Sequence, residues 1–283
     1  MFETIIYGFS FGAILYLFSI GLSITFGTMH IVNFAHGMIY ALGTFFFVAL
    51  LSGLQVGFTA PMVLSCIIMI PIAWVIERLV IRKLYGVRLD YAMIATYAVL
   101  LIGVDIIKMI WGVRPLPLSV PISGSIPIGD VQLSIYRIVI LIVAVVIFFA
   151  LNLYMKKTVV GQIVTAALQD NDGVRCLGIN VNKYFSLMFV IGSVLAVIAG
   201  ILYGPISAPE PYMGNRMLLL AFAVTIVGGM GNLKGTFVAS FVLGLVMAIV
   251  GRFYGGAGDV AAYFVMAGVI VVRSKMNRET AEE

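Results

Sequence analysis

The chain has 283 residues, 62% of them apolar and 10% charged, and a mean hydropathy of +1.14. An average soluble domain carries about 25% charged residues, so this composition excludes a water-soluble fold, and the apolar residues run in long blocks whose natural solvent is lipid. The net charge of +5 comes from basic residues gathered just outside those blocks, a membrane-topology pattern that argues against a nucleic-acid-binding surface.

A membrane span needs about 20 mostly apolar residues. Candidates lie at 5–26, 31–52, 60–77, 91–112, 136–155, 184–205, 216–231, 236–253 and 258–273. The first has only Glu3 as a charge before it and lacks the basic start and cleavage site of a secretory signal, so it reads as a retained span. The seventh ends in Gly228, Gly229 and Gly231 and is short enough to be a broken or re-entrant helix, which leaves eight or nine segments. The expected fold is therefore an all-α, polytopic transmembrane bundle with broken or re-entrant helices, a single membrane domain over 1–283.

Lysine and arginine set the orientation. Arg78, Arg82, Lys83, Arg88, Lys156, Lys157, Arg175, Lys183, Lys234, Arg273, Lys275 and Arg278 fall on one side, and Arg114, Arg137, Arg216 and Arg252 on the other. The richer side is expected to be cytoplasmic, with the amino terminus outside and the carboxyl terminus inside. The outside stretch from Gly112 to Ser134 carries Pro115, Pro117, Pro121 and Pro127, which suits an extended, ordered cap better than a helix.

Two polar interruptions stand out. Between the first two spans, Gly27 to Gly37 includes His30, Asn33 and His36. On a helix Asn33 and His36 would share a face, and Asn33 could instead cap a helix beginning at Phe34. The stretch is either a turn between spans or a broken helix on a conduction pathway, because polar groups at membrane depth need protein or water partners. Late in the chain, Gly228 to Gly235 interrupts apolar sequence again, with Gly229 and Asn232. Both interruptions fall on the same side, and glycine-broken segments in two halves point to a transport pathway. Asn33, His36, Gly37, Gly229 and Asn232 are thus the pathway candidates. A phosphate loop is excluded there, since Lys234 precedes Gly235 and Thr236 instead of following the glycines at the required spacing.

The longest inside segment, 156–183, contains Val160, Ile163, Val164, Ala167 and Leu168 at the spacing of one helical face, with Gly178 as a stop. Such a helix could lie on membrane lipid, but its acidic residues Asp170 and Asp172 favour docking to a cytoplasmic partner. Asp105 and Lys108 are spaced to pair on the fourth span, and Glu210 sits in an outside turn that could meet a delivery protein. No catalytic set, metal site or cofactor site is expected: the histidines form no His-Glu-x-x-His pair, no Gly-x-Ser-x-Gly elbow occurs, and Cys66 and Cys176 lack metal or disulfide spacing.

Several motifs together resemble the branched-chain amino acid permease family of ATP-binding-cassette importers. They are GLSITFG from Gly21 to Gly27, NFAHG from Asn33 to Gly37, ERLVIRKLYG from Glu77 to Gly86, GQIVTAALQDNDGVRCLGI from Gly161 to Ile179, and VGGMGNLKGTF from Val227 to Phe237. The resemblance implies an inner-membrane permease that binds no cofactor itself. It also implies a second homologous permease subunit, two cytoplasmic ATPase subunits that hydrolyse ATP, and a periplasmic solute-binding protein. It places ATPase coupling on Gly161 through Gly178, centred on Ala166, Ala167, Gln169 and Asp170, and the pathway near Asn33 and His36. Family members often carry a glutamate where this chain has Met247, and an Arg-Pro-x-Gly-Leu-Phe tail where it has Arg273-Ser274-Lys275-Met276. The remaining reading is a stand-alone secondary transporter or channel, which should need membrane-embedded carboxylates for ion coupling, and Asp105 is the acidic residue well inside a span.

Overall fold

The structure, a computed structural model, describes residues 1–29, 31–54, 56–128 and 131–282. It is an all-α bundle: α1 Phe2–Met29, α2 Ala35–Leu54, α3 Thr59–Leu79, a single 3-10 turn Ile81–Leu84, α4 Leu89–Trp111, α5 Ile135–Lys157, α6 Val159–Gln169, α7 Asn171–Cys176, α8 Val181–Tyr203, α9 Met213–Gly228, α10 Leu233–Phe253 and α11 Gly258–Glu282. Among the described residues seven helices are long and apolar enough to cross a membrane, and α9 and the 258–272 part of α11 are shorter apolar helices. A helix stands at each of the nine expected segments.

Contacts between helix ends sort them into two rims. At one, the start of α10 meets the end of α1 through Gly231 and Ser23, and Tyr85 beyond α3 meets Phe185 near the start of α8. This rim carries Arg78, Arg82, Lys83, Lys156, Lys157 and Lys183, and is called the basic rim below. At the opposite rim Arg252 near the end of α10 donates to Thr4 in α1, Arg216 in α9 pairs with Asp259 in α11, and Leu116 N donates to Pro209 O. A two-stranded hairpin, β1 Ser125–Ile128 with β2 Val131–Ser134, lies there too. As expected from its prolines, the 112–134 stretch is extended and holds no helix among its described residues.

The core is α1. Its most apolar window is 72% buried, as is that of α8, whereas that of α5 is 11% buried. So α1 and α8 form the centre and α5 lies on the outside of the bundle. Lipid tails give no hydrophobic drive between helices, so small residues that let backbones approach take over that role. A Cβ added at Gly21 would stand 2.5 Å from the Gly192 carbonyl oxygen and 2.8 Å from His36 Cε1. Some buried hydroxyls on these helices return to their own backbone, as Thr25 does to Gly21 O and Thr28 to Ile24 O. These two hydroxyls are satisfied without water, whereas Tyr16 OH, Ser19 Oγ and Ser193 Oγ on the same helices have no hydrogen-bond partner among the described residues.

One feature differs from a simple helical hairpin. The Phe18 ring packs 4.8 Å from His36 and 4.9 Å from Tyr40, yet Phe18 lies eleven residues before Met29, where α1 ends. At 1.5 Å per residue that is about 16 Å, so α2 begins roughly halfway up the bundle. The span expected from 31 onward is non-helical until Ala35, because residues 31–33 run extended alongside α4 and α9. Val32 O accepts from Thr96 at 3.1 Å, and the Phe34 ring packs on Tyr97 and Phe222.

The Gly21 contact makes a test. Gly21→Ala should lower the thermal stability of the detergent-solubilised protein by about 1–3 kcal/mol through overpacking. Gly53→Ala, where an added Cβ meets nothing within 4 Å, should leave the unfolding midpoint unchanged or raised. Equal midpoints for the two variants would contradict the packing assignment.

Candidate functional site

The two polar interruptions meet at the basic rim, where Gly27 of the first lies against Gly231 of the second. A Cβ on Gly27 would fall 2.7 Å from Gly231 Cα. The Gly231 N–H donates to Ser23 Oγ at 3.1 Å, and the Thr236 hydroxyl lies 3.1 Å from the same oxygen. Gly229 and Gly231 turn the chain with φ of 89° and 80°, in the left-handed region that suits glycine. Asn232 then caps α10, its side-chain oxygen accepting from Gly235 N at 3.0 Å. Ser23, in the middle of GLSITFG, links the motifs, and sequence reasoning passed over it because a serine in an apolar run has no local signal.

His36 is fully buried in the second position of α2, with Nε2 3.1 Å from Phe18 O. A carbonyl only accepts, so Nε2 carries the proton, and Nδ1 has no partner. Gly37 lies against α9, where a Cβ would stand 2.9 Å from Gly214 O. Asn33 is 1% exposed, and neither of its side-chain amide atoms has a hydrogen-bond partner. The side-chain cap considered for Asn33 is not formed: the first α2 amides bond to backbone, His36 N to Asn33 O and Gly37 N to Phe34 O. His30 lies outside the described residues. The candidates therefore occupy two levels, with Gly229 and Asn232 at the rim and Asn33, His36 and Gly37 deeper in the bundle.

The 156–183 segment is two helices where one was expected. Thr158 caps α6 by accepting from Gly161 N at 3.1 Å. Gly161, Val164 and Ala167 are buried, while Gln162, Thr165, Ala166 and Gln169 are exposed. The helix breaks at Asp170 because its carboxylate accepts from Gly173 N at 2.8 Å and starts α7. Gly178, with φ 78°, follows the end of α7 and does not stop the amphipathic helix as expected, because α6 already ends at Gln169. Near the end of α3, Glu77 is fully buried and accepts from Tyr85 OH at 2.8 Å. Burial and the Glu77 charge raise the Tyr85 phenol above its ordinary range, so it remains a donor. On the hairpin rim Met247 lines a cavity of about 310 Å³ with Arg137, Arg216 and Asp259, and Glu210 is exposed.

The Asn232 cap gives a stability test. Asn232→Ala should destabilise the protein by about 1 kcal/mol, whereas Asn232→Asp, which keeps the acceptor, should unfold within a degree or two of wild type. A thermal melt in detergent separates these outcomes, and full stability in the alanine variant would remove the cap's role.

Against known proteins, the family model described as branched-chain amino acid transport system, permease component, matches residues 4–273. The chain is 26% identical to the high-affinity branched-chain amino acid transport system permease protein LivH of Escherichia coli (strain K12), over 86% of this chain and 83% of that one. It is 26% identical to the corresponding permease protein BraD of Pseudomonas aeruginosa, over 96% of this chain and 93% of that one. It is 22% identical to a probable branched-chain amino acid transport permease protein LivH of Methanocaldococcus jannaschii, over 92% and 89%. No solved structure matches.

Proposed function

The chain belongs to the family of branched-chain amino acid transport system permease components, and on that premise we propose that it is the membrane-spanning permease subunit of an ATP-driven importer. It passes branched-chain amino acids, or related small polar solutes such as other amino acids, amides or urea, into the cytoplasm by alternating access. The basic rim faces the cytoplasm of a bacterial inner membrane, with the amino terminus outside and the carboxyl terminus inside. ATP is hydrolysed by two partner subunits docked on that rim, and this chain binds no cofactor of its own. A second homologous permease completes the pathway, and a periplasmic solute-binding protein delivers solute at the hairpin rim.

The family match over nearly the whole chain, coupling segment included, is the observation that carries this reading. The shape of α6 supports the coupling role. Its buried face packs on α5, α8 and α1, while Ala166 and Gln169 are exposed, as an ATPase contact requires. Displacement of α6 is therefore passed directly to α1, whose end holds the Gly27–Gly231 junction, and from there to α10. Gly161 seats the helix: a Cβ there would lie 2.4 Å from the Met155 backbone. Asp170 contributes through the start of α7, since its carboxylate is engaged in the cap.

Reconstitution tests both levels. Vesicles containing the chain, its partner permease and the ATPases should take up L-leucine or a related solute only with ATP inside and binding protein outside. Transport by this chain alone would overturn the reading. For coupling, Ala166→Trp and Gln169→Arg should cut binding-protein-stimulated ATPase activity about tenfold at unchanged membrane content. Asp170→Asn, which keeps a capping oxygen, should retain that activity. Wild-type stimulation in Gln169→Arg would sink the coupling assignment.

A further inference from the structure

The Asp105–Lys108 pair is a charged pair within an otherwise apolar helix, toward its hairpin-rim end. Lys108 Nζ is 2.8 Å from Asp105 Oδ1, and the ammonium stands 4.7 Å from the Tyr212 ring centroid at the start of α9. The Asp105 side chain is 67% exposed. It lies six residues inside the end of α4 at Trp111, about 9 Å along the helix. Trp111 is itself below the top of the bundle, because its ring packs on Phe45 and Phe46 and α2 continues to Leu54. An exposed carboxylate at that depth must border water or protein. The outer helix α5 makes the contrast: every residue from 138 to 151 is apolar.

The surroundings define the border. Tyr97, Leu101, Asp105 and Lys108 fall on one stripe of α4 at i, i+4, i+8 and i+11. Through Tyr212 that stripe is turned toward α9, where Leu219 is also exposed. Phe34, on the segment between α1 and α2, touches both Tyr97 and Phe222 at the lower end. The result is a strip of exposed side chains between α4 and α9, with two opposite charges at its upper end and aromatic and aliphatic side chains below.

We propose that this α4–α9 strip borders a water-lined recess on the permease and that Asp105 and Lys108 bind an α-amino-acid zwitterion. Asp105 takes the ammonium and Lys108 the carboxylate, with the aliphatic chain laid over Leu101, Tyr97 and Leu219. When the recess is empty, the two charges neutralise each other, which makes a charged site tolerable at membrane depth. An entering zwitterion exchanges that single ion pair for two, and a singly charged or neutral solute cannot. The proposal rests on the reading of the chain as an amino-acid permease and names the part of it that meets the solute.

Two measurements on the reconstituted complex decide it. In a background with Cys66 and Cys176 replaced by Ser, Leu101→Cys should react with a charged, membrane-impermeant methanethiosulfonate in at least one nucleotide state, and Val146→Cys on α5 should not. Asp105→Asn and Lys108→Gln should each cut L-leucine carried per ATP hydrolysed about tenfold or more, while Asp105→Glu keeps most of it, with membrane content and ATPase assembly unchanged in all three. If Leu101→Cys is as inert as Val146→Cys in every nucleotide state, the face borders lipid and the proposal falls. Wild-type leucine carriage in Asp105→Asn overturns it alone. A wild-type complex that imports no amino acid overturns the parent reading together with it.

Discussion

Helices in lipid gain nothing from burying apolar surface against one another, so close backbone approach must hold the bundle together. Here that constraint concentrates on α1. Its Gly21 lies against Gly192 of α8, its Gly27 against Gly231 ahead of α10, and its Gly8 and Gly12 face Gly244 of α10. A side chain larger than hydrogen at Gly21 would push α8 and His36 away together. Because α1 is wrapped by α5, α8, α9 and α10, it is the part through which motion at one helix reaches the others.

The same crowding explains the late start of α2. His36 fits against Gly21 and Phe18 only because the chain runs non-helical over residues 31–33 and turns at Phe34 before the helix begins roughly halfway up the bundle. Extended backbone inside a membrane protein must find partners within the protein or in water. Val32 O finds Thr96, and the first α2 amides find Asn33 O and Phe34 O. The Asn33 amide finds no protein partner, which is a reason to regard this level of the bundle as polar.

From the basic rim upward, the parts form a continuous mechanical series. The exposed α6 residues sit on a face locked to α5, α8 and α1, and the end of α1 is tied to α10 through Ser23, Gly231 and Thr236. The segment between α1 and α2 reaches α4 and α9 through Phe34, beside the strip of α4 that carries Asp105 and Lys108. Under the proposed coupling role of α6, these contacts would be the packed route from the basic rim to the proposed α4–α9 recess.

Read alone, the sequence determined the membrane class, the positions of eight or nine helical segments, the basic rim and the extended proline-rich cap, because hydropathy, charge and proline act locally. It also marked the two glycine-broken motifs and the amphipathic α6. Tertiary structure alone decided that Ser23 joins those motifs, that α2 starts halfway up, and that Asp170 splits the coupling segment. These depend on partners far along the chain or on one carboxylate choosing a nearby amide, and neither follows from periodicity. The Asp105–Lys108 pair was legible as an ion pair from its spacing. That it faces outward beside Tyr212 was not, because the direction of a stripe on a helix is set by the helices packed behind it.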